Sequence, residues 1–241
     1  MLYVIYRLSD NSYQKERFAT KERSLGNFTK NFYGHYKLEL LVDTTNLRDE
    51  TKLWIERPSS ILKSSFTTYT NQITYFEGGS SAASWKFAFE FTQQFSTEDY
   101  VYFVEDDYLH RSASYDVLKE GLDRGDYVSL YDHNDKYISA FSGGNPFVED
   151  DGSTVARIFR TNSAHWRTVD STTMTFATQV KTLREDEDIW KQWTMNGPHP
   201  HDFQAFLELN KKGRSLITPI PGWSTHCEER WASPGIDWSA V

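Results

Sequence analysis

A chain of 241 residues carries 26 Lys and Arg against 34 Asp and Glu, a formal net charge of −8. That balance disfavours nucleic acid as the main partner, because phosphate backbones are met by basic faces. One cysteine, Cys227, excludes an internal disulfide framework and fits a reducing compartment. With 16 Phe, 14 Tyr and 8 Trp the chain is too rich in rings to be disordered. Such rings either fill a core or stack on sugars and bases.

The first apolar run, Leu2–Leu8, reads as a core strand, and Arg7 and Asp10 interrupt it too early for a signal peptide. No run approaches the roughly 18–20 apolar residues that span a bilayer, so the sequence predicts a soluble, cytoplasmic protein. A polar stretch and a helix reaching Phe32 follow, then a strand over 37–42 that ends at Asp43. A helix over Asn46–Glu56 is closed by Pro58, which cannot continue it. A strand over 72–76 leads through the turn residues 77–81 into 82–95, where apolar residues recur at helical spacing. Tyr100–Val104 is the fourth strand.

Strand and helix alternating in this way predict a parallel sheet with right-handed crossovers. Ligands of such sheets gather beyond the carboxyl ends of the strands. Arg7 and Ser9, Asp43, residues 77–81 and Glu105–Asp107 each follow a strand end and are expected to share one rim.

In the second half, strands over 127–131, 153–160 and 171–177 have few helices between them, and a hairpin is expected near 148–153. A helical stretch over 178–195, a helix over Asp202–Lys212, an apolar run over 215–220 and an irregular tail from Pro221 complete the chain. No repeat, low-complexity segment or linker divides it. The sequence therefore predicts one mixed α/β domain.

Glu105, Asp106 and Asp107 close the most apolar of these strands. Adjacent carboxylates repel one another unless something positive sits among them. They form either a solvated turn or a seat for a cation. Hard oxygen donors on a ligand-binding rim suit Mg²⁺ or Mn²⁺, which share phosphate oxygens with a substrate. A second Glu-Asp-Asp, at 149–151 before Gly152, reads as a solvated turn. The acidic run 184–188 reads as a charged helix face or helix start. Zinc lacks its cysteines, and neither a G-x-S-x-G elbow nor a P-loop lysine is present.

A βα half whose fourth strand closes in Glu-Asp-Asp resembles the GT-A glycosyltransferases, in particular family-2-like members. Their DxD-type motif binds a divalent cation and the diphosphate of a nucleotide sugar. Asp202, opening a late helix, and His226, in the tail, extend the resemblance. It implies a single Rossmann-like GT-A domain over 1–241 with a mixed central sheet flanked by helices. Residues 1–110 would bind the nucleotide, and 111–241, with a flexible C-terminal tail, the acceptor. The implied activity is transfer of a hexose from a nucleoside diphosphate sugar to a hydroxyl of a carbohydrate acceptor, with inversion.

Residue by residue, the resemblance implies Asp107 as a ligand of Mn²⁺ or Mg²⁺, with His226 completing the metal shell. Glu105 would act through water or orient a neighbour, and Asp106 would reach the ribose hydroxyls. Arg7, Ser9 and Asp43 would line the base pocket, and Asp202 would be the catalytic base. With an ordinary pKa of ~3.9, Asp202 is expected to be ionised at neutral pH. Asp202 equally suits a plain helix cap, and His226 a surface loop. Trp166, Trp223 and Trp231 are available to floor an acceptor site or to pack. The rival readings are a nucleotidyltransferase or metal-dependent hydrolase on a similar sheet, and a non-catalytic carbohydrate-binding module.

Overall fold

Alternation along the first strand decides which side chains fill which face. In β1 (Leu2–Ser9), Val4, Tyr6 and Leu8 point to one face and Ile5 to the other, all of them buried. The computed structural model describes residues 1–10, 17–56, 72–149 and 152–241. Within them β1 is followed by α1 (Lys21–Asn31), β2 (Tyr36–Asp43), α2 (Asp49–Glu56), β3 (Gln72–Phe76), α3 (Ser81–Phe91) and β4 (Tyr100–Glu105). The hydroxyls of Thr20 and Ser80 cap α1 and α3 by accepting from the N–H of Arg23 and Ala83. All four strands pair in parallel, in the order β3-β2-β1-β4.

The chain runs outward from β1 to β2 and β3, then returns to β4 on the other side of β1. That reversal opens a crevice at the carboxyl ends of β1 and β4. The pairing register sets Ser9 beside Asp43 and Arg7 beside Glu105. The rim expected from the sequence is built by this register.

The second half adds β5 (Tyr108–His110), α4 (Ser114–Leu122), β6 (Tyr127–Val128), β7 (Ile158–Arg160), β8 (His165–Thr168) and β9 (Ala177–Gln179). After these come α5 (Val180–Glu185), α6 (Glu187–Thr194), α7 (Asp202–Lys211), β10 (Leu216–Ile220) and β11 (Ser224–His226). The sheet continues as β4-β9-β6-β10-β8-β7, with β9 antiparallel to both its neighbours and β10 parallel to β6. The fold is thus α/β, with one mixed nine-stranded sheet flanked by helices and running through both halves. One face packs Phe28, Phe32 and Tyr36 against Tyr102 and Trp166; the other packs Trp85, Phe103, Phe176, Trp190 and Phe206.

Several sequence expectations are corrected here. The strand expected over 127–131 ends at Val128, and the one expected over 153–160 begins at Ile158. Residues 171–176 form no strand and bend at Met174, and β9 begins only at Ala177. The tail from Pro221, read as irregular, contains β11, which pairs antiparallel with β5. Its last residues bury Trp238 against Ala19, Leu109 and Cys227. Burial of apolar surface, not strand pairing, holds that segment down. Pro58, and Asp150 and Asp151 of the expected hairpin, lie outside the described residues. Among the described residues no helix is long and apolar enough to cross a membrane.

Candidate functional site

Beyond the carboxyl ends of β1 and β4 lies a cleft of about 1250 Å³. Of the residues singled out from the sequence, Arg7, Ser9, Glu105, Asp106, Asp107, Asp202 and His226 all line it. Asp43 does not.

Arg7 leaves β1 on the same face as Ile5, yet it carries a charge into an apolar layer. Its guanidinium meets Glu105 Oε1 at 3.1 Å, the Met174 carbonyl at 3.5 Å and the face of Trp85, 5.6 Å from the ring centre, while its buried Nε has no hydrogen-bond partner among the described residues. Thr175 holds the other side of Glu105, donating from Oγ1 to Oε2 at 3.2 Å. Glu105 is therefore fixed from two directions. Asp106 accepts the backbone N–H of Ser9 at 2.9 Å and pairs with Lys21 Nζ at 3.0 Å. Asp107 Oδ2 lies 2.9 Å from Arg17 Nη2 and 3.0 Å from His226 Nε2. Arg17 also reaches Asp106, at 3.9 Å. The positive partners demanded by three adjacent carboxylates are thus side chains of the chain itself: Arg7, Arg17 and Lys21.

His226 comes to the cleft because β11 pairs with β5 and sets it beside Tyr108, one residue past Asp107. The backbone N–H of Cys227 donates to the Asp107 carbonyl at 2.8 Å and locks that register. Among the described residues, no three His, Cys, Asp or Glu side chains form a metal-holding group.

Asp202 faces the strand ends from the opposite wall. The turn before it contains Gly197, at a φ of +79° that favours glycine, with Pro198 and Pro200 on either side of His199. The Pro198 carbonyl accepts from Ala82 at 3.4 Å, which ties this turn to the start of α3. Asp202 is the first residue of α7, preceded by His201 at the cap, and its Oδ1 accepts the N–H of Phe203 at 2.8 Å. Burial pushes its carboxyl up to about 7; the Phe203 hydrogen bond opposes that rise and the negative charge of Glu105 adds to it. The ordinary carboxylate value assumed from the sequence thus gives way to a raised one.

Asp43 turns away from the cleft into the loop after β3. Its carboxylate accepts from Thr45 N–H and Oγ1 and from the N–H groups of Gly78 and Gly79, at 2.8 to 3.0 Å. Burial alone would raise its pKa, but these donors hold it below the ordinary carboxylate value. A Cβ on Gly78 would stand 2.7 Å from Asp43 Oδ2, and Gly79 has a φ of +79°. The two glycines therefore shape a cradle for a carboxylate of the chain itself. Asp43→Ala removes a charged acceptor from the N–H groups of half-buried Gly78 and exposed Thr45 and Gly79 and should cost on the order of 1–2 kcal/mol in chemical denaturation at pH 7. Because the folded pKa is depressed, Asp43 contributes this stability above the unfolded value of 3.8 and loses it as pH falls further. The gap between wild type and Asp43→Asn should accordingly shrink below about pH 4.

No protein-family model matches the chain, and no curated protein matches it. Solved structures do. A galactosyltransferase, LgtC, in complex with donor and acceptor sugar analogs, is 8% identical with a TM-score of 0.47. That match covers 90% of this chain and 72% of the other. TarS residues 1–349 from S. aureus match at 13% identity and a TM-score of 0.47, over 90% of this chain and 57% of that one.

The three tryptophans considered for an acceptor site stand elsewhere. Trp166 is wholly buried, with its indole N–H donating to Thr161. Trp223 lies under the Arg111 guanidinium at 4.3 Å and Trp231 under that of Arg230 at 4.6 Å, and neither lines the cleft. The sequence reading missed Asp10, Arg17, Lys21 and Arg48, which line the cleft beside Ser9. Asp10 pairs with Arg48 at 3.2 Å and Lys21 at 3.7 Å. Its position just after β1 was the available signal. Nothing local marks Arg17, Lys21 or Arg48, whose partners are set by the fold.

Proposed function

We propose that the chain is a GT-A-type glycosyltransferase that moves a sugar from a nucleoside diphosphate sugar to an acceptor hydroxyl, with inversion. The observation that carries this reading is the convergence on one cleft of strand-end carboxylates, long basic side chains and, across from them, the Asp202 carboxyl at the start of α7. A binding module needs no such carboxyl. In this reading residues 1–110 supply the donor wall, and 111–241 bring Asp202 and His226.

Asp107 and His226 fit a divalent cation as a two-donor corner: an aspartate oxygen and an imidazole nitrogen stand 3.0 Å apart on the cleft wall. Mg²⁺ and Mn²⁺ take their remaining ligands readily from phosphate oxygens and water. When bound there, the ion would supply positive charge to a leaving diphosphate. Ser9 and Asp106 would face the nucleoside, and Arg7 would keep Glu105 in place.

Asp202 would accept the proton of the acceptor hydroxyl as its oxygen forms a bond to the anomeric carbon. The bond from that carbon to the diphosphate oxygen breaks, and its electron pair leaves with the nucleoside diphosphate. Attack from the side of Asp202, opposite the diphosphate, inverts the anomeric centre. Beside Asp202, Phe203 stacks on the half-exposed ring of Phe147, with centroids 6.2 Å apart, and offers an apolar face to an acceptor sugar. The test is release of nucleoside diphosphate from a panel of nucleotide sugars in Mn²⁺, with and without oligosaccharide acceptors. Acceptor-stimulated release supports the reading, and release of pyrophosphate from nucleoside triphosphates instead would replace it with nucleotidyl transfer.

A further inference from the structure

The nine-stranded sheet ends at β7, and among the described residues no strand pairs with its outer edge. Its inner edge is fully used. The N–H of Thr168 donates to the Arg157 carbonyl at 3.1 Å, and the N–H of Thr161 donates to the Ala164 carbonyl at 2.9 Å. Bonding groups alternate along an antiparallel pair, so Phe159, midway between Arg157 and Thr161, also turns its N–H and C=O to β8. The N–H and C=O groups of Ile158 and Arg160 therefore face outward. Apolar side chains are exposed along the same edge: Ile158 is 55% exposed, and Val155, just upstream, wholly so. A strand edge of this kind is a template for another strand.

Charge decides what that strand is. Arg157 and Phe159 share one face of β7, and the Arg124 guanidinium lies over the Phe159 ring at 5.0 Å. Arg160 shares the other face with Ile158 and, with Arg124, lines a groove of about 490 Å³. Two carboxylates line it as well. Glu120 is taken up by Ser163, accepting its N–H at 3.0 Å and its hydroxyl at 2.8 Å, and Asp123 is the other. The charged neighbours on β8, His165 and Arg167, add no negative charge. Among the described residues none of Arg124, Arg157 and Arg160 is in an ion pair. A chain of net charge −8 thus keeps a basic margin on one strand edge. Two copies of β7 paired edge to edge would set these arginines against one another, which disfavours self-association.

We propose that the outer edge of β7 is a docking site for an acidic extended segment of a partner protein, added to the sheet as a further strand. Main-chain hydrogen bonds to Ile158 and Arg160 would hold it, and side chains would select it. Alternation sets the pattern: an apolar side chain beside Ile158 and carboxylates on the face of Arg157 and Arg124. Five strand spacings separate β7 from β4, which places this edge ~24 Å across the sheet from β4 and its end of the cleft. The inference goes beyond the proposed transferase reading and does not depend on what the cleft binds.

The probe is a fluorescent octapeptide alternating glutamate with valine, its binding to the full chain followed by anisotropy. Wild type should bind it, more weakly as salt is raised. The same peptide methylated on every backbone nitrogen cannot donate to a strand and should not bind. Arg157→Glu, at an exposed position, should weaken binding about five- to tenfold by trading an ion pair for a repulsion. It should also bind an octapeptide alternating lysine with valine more tightly than wild type does.

No binding by wild type at millimolar peptide overturns the proposal. So does equal binding of the methylated peptide, which marks diffuse attraction to a basic surface, or equal affinity in wild type and Arg157→Glu. Sedimentation velocity should be the same for wild type and Ile158→Lys. A wild-type dimer that Ile158→Lys dissociates would put a second copy on this edge and overturn the assignment to an acidic partner.

Discussion

Asp202→Asn should lower sugar transfer by about 10²–10⁴, the usual worth of a general base, while donor affinity stays within a few-fold of wild type. Asparagine keeps the size of the side chain and can still accept the Phe203 N–H, but it cannot take a proton. The pH profile carries an independent signature. With the Asp202 carboxyl pushed up to about 7, kcat/KM for wild type should rise through a midpoint near 7 and level off at higher pH. Glu105→Gln removes a negative charge that raises Asp202, so it should move that midpoint to lower pH.

Stability supplies the control. Asp202 ionises less readily in the fold than in the unfolded chain, so ionisation withdraws stability as pH climbs from 3.8 towards about 7. Asp202→Asn should therefore melt above wild type at pH 8 and converge with it near pH 4. A variant that is more stable and far less active separates chemistry from folding. Near-normal transfer by Asp202→Asn would reduce the residue to a helix-terminal carboxylate.

Asp107→Asn should abolish the part of nucleotide-sugar binding that depends on Mn²⁺. Asparagine offers one neutral oxygen where aspartate offers a charged carboxylate, and hard divalent cations select strongly for the charge. His226→Ala removes the neighbouring donor and should weaken Mn²⁺ binding by about 10- to 100-fold, with β11 still paired through its backbone. Equilibrium dialysis of Mn²⁺ against wild type and both variants gives the comparison. The other Glu-Asp-Asp provides a contrast, since Glu149 there is solvent-exposed. Asp150→Asn should leave donor binding unchanged, and equal effects from Asp107→Asn and Asp150→Asn would contradict the site.

The first half of the chain was legible in the sequence because its strands are long apolar runs that end in polar residues. Parallel pairing then placed Arg7 beside Glu105 and Ser9 beside Asp43, as strand-end logic requires. The short strands were not legible. β6, β8 and β11 span two to four residues, too few to show alternation, and each is fixed by a partner distant in sequence. α4 did carry a signal, with Ser114, Val117, Leu118 and Gly121 buried at helical spacing. Gly121 obscured it, and the fold explains that glycine: a Cβ there would stand 2.6 Å from the Trp166 ring.

Within the site, identity was easier to read than environment. Asp202 could be singled out from its place at a helix start, but its raised carboxyl depends on burial and on Glu105 across the cleft. Asp43 sat at the right strand end, yet the two glycines after β3 draw its carboxylate into a loop. The partners of Asp106 and Asp107 lie in a basic stretch that, as sequence, resembles any solvated helix start. Only the fold brings Arg17 and Lys21 to the acidic rim.

The central claim is that this cleft binds the diphosphate end of a nucleotide sugar together with a divalent cation. Thermal unfolding of wild type with a panel of nucleoside diphosphate sugars, with and without Mn²⁺, tests it most directly, since a ligand that binds only the folded state must raise its stability. At a hundred times its dissociation constant such a ligand adds about 2.7 kcal/mol. For a chain of this size that corresponds to a rise of roughly 5–10 °C. The expected result is a shift of this order for at least one donor in Mn²⁺, much reduced in chelator and absent in Asp107→Asn. A shift of equal size in wild type and Asp107→Asn, or none with any donor at millimolar concentration, would contradict the claim.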